Sequence, residues 1–77
     1  MSSVQSRRYQ QFLRQLRAAR FDAGLTQEQV AKAFKVPQSW VSKCESGERR
    51  VDAVELERFA RLYGKPITFF LPEDERA

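Results

Sequence analysis

Side chains able to make or break bonds are scarce in this chain. It has one cysteine, Cys44, and no histidine. A structural zinc site ordinarily takes four Cys or His ligands, and a nucleophilic Ser or Cys needs a neighbouring base, so neither chemistry is expected. Gly24, Gly47 and Gly64 stand too far apart to form a phosphate-cradling loop. Counting alone leaves paired carboxylates open, but 77 residues seldom enclose a closed pocket. No enzyme activity, catalytic residue, metal ligand or cofactor is therefore expected. A lone cysteine cannot form a disulfide within the chain, which fits a reducing compartment.

Charge is the more informative chemistry. The formal net charge is +4, and it is unevenly placed. Residues 1–21 carry five arginines (Arg7, Arg8, Arg14, Arg17 and Arg20) and no acid. Residues 22–50 hold five basic and four acidic groups, and residues 51–77 hold four basic and six acidic groups. A basic first two thirds with an acidic end fits one face turned toward a polyanion. Arginines solvating the outer face of an amphipathic helix account for the same numbers. Hydrophobic residues at 42% and charged residues at 31% describe an ordinary globular domain. At this size it buries only about 60% of the surface of its unfolded chain. No run of about 18 apolar residues is present, so no membrane span is expected. Nor does an apolar block follow Arg7-Arg8, so no secretory signal is expected and the location read from the sequence is cytoplasmic.

The elements that must position any binding residues follow from spacing. Tyr9, Phe12, Leu13 and Leu16 fall at i, i+3, i+4 and i+7, one stripe of a helix from about Ser6 to Asp22 that Gly24 ends. Thr26 with Gln29 forms a capping-box pattern for a helix over about Gln27–Phe34, whose inner face is Val30, Ala31 and Phe34. After the turn Lys35-Val36, Pro37 suits a first helical position, so a third helix is expected from Pro37 to Glu45, ending at Ser46-Gly47. Glu48-Arg49-Arg50 reads as a polar loop. Asp52 and Glu55 repeat the capping box for a fourth helix with the stripe Leu56, Phe59, Ala60 and Tyr63, closed by Gly64. Pro66 opens a short fifth segment, Ile67–Leu71, before Pro72 and the acidic tail Glu73-Asp74-Glu75. No segment alternates with period two. The expected fold class is all-α, a bundle of about five short helices forming one domain over 1–77, with its core at about 6–71 and short flexible ends.

The two short helices flanking Lys35-Val36 carry the functional reading. Helices of about two turns joined by three or four residues cross steeply, the helix-turn-helix arrangement, and the second can enter a major groove about 12 Å wide. Three segments bear this out: Gly24-Leu25-Thr26-Gln27-Glu28-Gln29-Val30-Ala31, Pro37-Gln38-Ser39-Trp40-Val41-Ser42-Lys43 and Glu45-Ser46-Gly47-Glu48-Arg49-Arg50. Together they strongly resemble the phage-repressor-like helix-turn-helix family, the Cro/CI or xenobiotic-response-element class of bacterial and phage regulators. The likeness covers roughly Phe12 to Leu71 and implies a lambda-repressor-like DNA-binding domain.

That resemblance implies roles. Gln38, Ser39 and Lys43 would read base edges, and chemistry agrees: Gln bonds adenine bidentately, Lys reaches guanine O6 and N7, and Ser serves either. Gln27, Ser42, Ser46, Arg49 and Arg50 would hold phosphates. Cys44 stands where the family places an aliphatic residue, so it reads as a small buried hydrophobe beside Val41. Arg20 and Glu45 match a pair that in the family links the first helix to the third. Two positions depart from the pattern. Lys35 stands where the family often has Gly, and Trp40 where it commonly has a smaller side chain. Trp40 is open between a DNA contact, a partner contact and a packed aromatic.

The implied activity is sequence-specific binding of double-stranded DNA by a transcriptional regulator, a repressor by preference, acting as a homodimer on a pseudo-palindromic operator. The cluster Tyr63, Ile67, Phe69, Phe70 and Leu71 either closes the core or supplies the dimer surface. The alternative is a protein-interaction adaptor or antitoxin-like partner on the same fold, with a protein as its ligand.

Overall fold

Three of the helices start on a side chain that accepts a backbone N–H. Ser6 Oγ accepts from Tyr9 N at 3.0 Å, Thr26 Oγ1 from Gln29 N at 3.1 Å and Asp52 Oδ1 from Glu55 N at 2.8 Å. At the latter two the reciprocal bond is also made, Gln29 Oε1 accepting from Thr26 N and Glu55 Oε1 from Asp52 N, so both expected capping boxes are complete. In the computed structural model, which describes residues 6–72, these caps begin α1 (Arg7–Asp22), α2 (Gln27–Phe34) and α4 (Ala53–Tyr63). Two further helices, α3 (Gln38–Ser46) and α5 (Ile67–Phe70), complete the set, and no strand occurs among the described residues. The fold is all-α, as the spacing implied. Residues 1–5 and the acidic tail Glu73-Asp74-Glu75 lie outside the described residues. Within those residues, no helix is long and apolar enough to cross a membrane.

The start of α3 differs from expectation. Pro37 and Pro66 stand just outside their helices, with ψ of 152° and 155°. The pyrrolidine ring sets φ, which suits a first helical residue, but leaves ψ free, and here ψ is extended. Helix α3 therefore begins at Gln38 and runs to Ser46, the expected range shifted by one residue toward the C-terminus.

The core is built where the apolar stripes meet. Leu16 and Ala19 of α1, Val30 of α2, Val41 and Cys44 of α3, Phe59 of α4 and Phe70 of α5 are fully buried. Phe59 forms the hub of an aromatic cluster, 5.0 Å from the Phe34 ring and 6.0 Å from the stacked ring of Trp40. Such ring pairs add about 0.5–1.5 kcal/mol beyond their buried area. Trp40 is thus a packed aromatic on the inner flank of α3. The C-terminal cluster divides: Phe70 and Tyr63 close the core, while Ile67 and Leu71 stay 38% and 49% exposed. Gln15 Nε2 donates to Phe69 O at 3.0 Å and ties α5 to α1.

The α2–α3 connection sets the angle at which α3 leaves the body. Its turn puts Lys35 in the left-handed region, at φ 60° and ψ 46°. The amide of Lys35 donates to Lys32 O at 3.2 Å and that of Val36 to Ala31 O at 3.0 Å, so the turn is held by the last carbonyls of α2. Among the described residues Lys35 is the only non-glycine with positive φ, and its Cβ makes that conformation costly. Replacing Lys35 by glycine should raise unfolding stability by about 0.5–1 kcal/mol in urea titrations, less than the full left-handed penalty because glycine loses more backbone entropy on folding. A lowered midpoint would contradict this account of the turn.

Candidate nucleic-acid interface

Helix α3 separates its residues by face. Val41, Cys44 and Glu45 are buried, whereas Gln38, Ser39, Ser42, Lys43 and Ser46 are exposed. The exposed five are spaced i, i+1, i+4, i+5 and i+8, which is a single stripe on an α-helix. At 1.5 Å per residue the nine-residue helix is about 13.5 Å long, comparable to the width of a major groove. Its outward groups are an amide, hydroxyls and one ammonium, which donate and accept hydrogen bonds without needing a pocket.

The inner face holds this stripe in place. Glu45, 2% exposed, accepts from Arg20 through both oxygens, with Nε at 2.6 Å and Nη2 at 3.0 Å. Arg20 is itself buried, and its Nη1 donates to Leu25 O at 3.1 Å. The carboxylate keeps the guanidinium charged, raising its already high pKa against the opposing effect of burial. Glu45 Oε1 also accepts from Gln27 Nε2 at 3.0 Å. Gln27, at the start of α2, is thereby fixed beside the start of α3, where Gln38 Nε2 approaches its Oε1 at 3.5 Å. Arg17, exposed on α1, donates to the Glu45 backbone carbonyl at 3.4 Å. One carboxylate thus connects α1, α2 and α3. The Gln27 bond and the Arg17 contact were not anticipated from sequence; for Arg17 the only signal is its i, i+3 spacing from Arg20.

Cys44 is fully buried, and burial pushes its thiol above the ordinary value, so it is protonated at neutral pH and serves as core. Ser46 Oγ donates to Lys43 O at 3.2 Å and accepts from Glu48 N at 3.3 Å, which shapes the exit from α3. Gly47 follows at φ 87° and is buried, a combination that a residue with Cβ rarely adopts.

Beyond Gly47 the two neighbouring arginines are held differently. Arg49 Nη1 and Nη2 donate to Glu55 Oε1 and Oε2 at 2.9 and 2.7 Å, and its guanidinium carbon lies 4.7 Å from the centre of the Trp40 ring. That guanidinium holds the Glu55 carboxyl below its usual range. Arg50 is exposed, and its guanidinium lies 4.2 Å over the Tyr9 ring. No carboxylate pairs with it among the described residues. Tyr9 Oη in turn accepts from Val51 N at 3.0 Å, anchoring the loop to α1.

A family model described as a helix-turn-helix domain matches residues 11–68, which takes in all of α2, α3 and α4 and most of α1. No curated protein matches the chain.

Because Glu45 neutralises a buried cation, its loss should be severe. Glu45→Ala is expected to destabilise the fold by about 3–5 kcal/mol in chemical denaturation, since Arg20 would remain buried without its partner. A cost under about 1 kcal/mol would mean that the pair does not hold α3 to α1.

Proposed function

The chain belongs to the helix-turn-helix domain family, and on that premise we propose that it is a sequence-specific, double-stranded DNA-binding transcriptional regulator that represses by occupying its operator. The observation that carries this reading is the exposed stripe of α3, backed by a buried face and anchored through Glu45. In the proposed complex α3 lies in the major groove. Gln38, Ser39 and Lys43 meet base edges, because their amide, hydroxyl and ammonium groups match the donor and acceptor patterns displayed there. Gln27, Ser42, Ser46 and Arg50 meet phosphates and fix the register. Trp40 contributes through packing, as its ring is occupied by Phe59 on one side and Arg49 on the other.

The assembly we propose is a homodimer with two recognition helices about 34 Å apart on a pseudo-palindromic site. The exposed Ile67 and Leu71 support such a dimer, since they extend the C-terminal apolar cluster to the surface. The proposed role is cytoplasmic and needs neither enzymatic chemistry nor a cofactor. The groups of the α3 stripe favour DNA over an adaptor role on the same fold, because they match base-edge donors and acceptors.

The two kinds of contact separate by mutation. On the tightest duplex drawn from a random pool, Lys43→Ala should cost about 1–3 kcal/mol and relax base preference, with little change on random duplex. Arg50→Ala should weaken every duplex alike and reduce the slope of log affinity against log salt by about one. Both effects are read by fluorescence anisotropy over a salt series. Equal losses from both variants on selected and random DNA would overturn the base-reading assignment.

A further inference from the structure

One of the two arginines in the loop after α3 is paired with a carboxylate on α4. Arg49 and Arg50 are consecutive, yet only Arg49 faces a carboxylate. The pairing is bidentate, the strongest form of arginine–carboxylate contact. Arg49 Nη1 also donates to the Arg50 carbonyl at 3.1 Å, and the cation is stacked on Trp40, which is stacked on Phe59. The guanidinium is therefore turned back onto the domain, with its charge neutralised.

Glu55 performs two tasks that require different things. Closing the α4 capping box needs an acceptor at this position, and glutamine serves as well as glutamate. The helix N-terminus already has an anion in Asp52, the N-cap. The negative charge of Glu55 is thus not required by the cap. What the charge does in this structure is hold Arg49.

We infer that Glu55 sets the strength of sequence-independent DNA binding by withholding Arg49 from the phosphate backbone, so that this loop offers one cation, Arg50, where its sequence contains two. The inference rests on the DNA-binding reading above and extends it to a residue on α4. Each phosphate neutralised by a protein cation contributes about 0.9 to the slope of log affinity against log salt. With Glu55 charged, Arg49 adds nothing to that slope. Without the charge, Arg49 is free to swing outward and take a phosphate on any sequence.

The test compares wild type, Glu55→Gln, Arg49→Ala and the double variant on a short random-sequence duplex, by anisotropy across a salt series. Glu55→Gln keeps the acceptor that the cap needs, and circular dichroism checks that every variant is helical. The expected result is that Glu55→Gln binds several-fold tighter at low salt, with a slope steeper by about 0.9. Arg49→Ala alone should match wild type in slope, and adding it to Glu55→Gln should cancel the gain. An unchanged slope for Glu55→Gln, or a slope reduced by about one for Arg49→Ala alone, would overturn the inference while leaving the α3 reading intact. Wild type that holds no duplex, random or selected, would instead sink the α3 reading. In that case salt-sensitive binding gained by Glu55→Gln and removed by the double variant would still uphold the restraint, and no gain would overturn it as well.

Discussion

A carboxylate buried at the meeting of three helices governs how this small domain presents its surface. Removed from water, Glu45 would be costly unless its oxygens were occupied, and they are: both accept from Arg20, and one also accepts from Gln27. A buried pair of this kind adds little net stability, because desolvation offsets most of the Coulomb attraction, but breaking it leaves an uncompensated charge. Its effect is therefore geometric. Helix α3 cannot rotate about its axis or slide along α1 without separating a buried cation from a buried anion. Gln27 brings the start of α2 under the same constraint, and the left-handed turn at Lys35 closes the connection.

With α3 fixed, the remaining surface chemistry sorts by face. Its inner side is devoted to Val41, Cys44 and the flank of Trp40, and its outer side keeps exposed groups that can donate or accept hydrogen bonds. The positive charge is also rationed. Arg20 is buried, Arg49 is paired, Arg61 forms an ion pair with Glu57 and Lys65 with Asp22, so the count of basic residues overstates the unpaired cations that the surface offers. A domain with a few placed cations, rather than a uniformly basic one, binds DNA of any sequence less strongly and leaves more of the discrimination to base contacts.

Sequence legibility followed the range of the interactions. The boxes at Thr26 and Asp52 were readable because a cap joins residues three apart, and the core stripes because a helix repeats every 3.6 residues. The start of α3 slipped by one position because proline fixes one backbone angle and not the other. Contacts across larger separations were less accessible. The pair of Arg20 and Glu45, 25 residues apart, was reached only through family resemblance, and the bond from Gln27 to Glu45 not at all. The role of Trp40 is not legible in the sequence because its stacking partner, Phe59, lies on another helix. Arg49 illustrates a different obstacle: Glu55 is only six residues away, but its pattern was fully explained by the α4 cap, so nothing in the sequence announced a second role.

The central claim is that the outer stripe of α3 reads bases, and selection of bound sequences from a random duplex pool tests it most directly. The experiment is run with wild type and with the Gln38→Ala, Lys43→Ala double variant. The account predicts an enriched pseudo-palindromic motif with wild type that disappears with the variant, while weak salt-sensitive binding to all duplexes persists. An equally enriched motif from the variant would contradict the base-reading role of α3, and no enrichment from wild type would contradict sequence-specific recognition altogether.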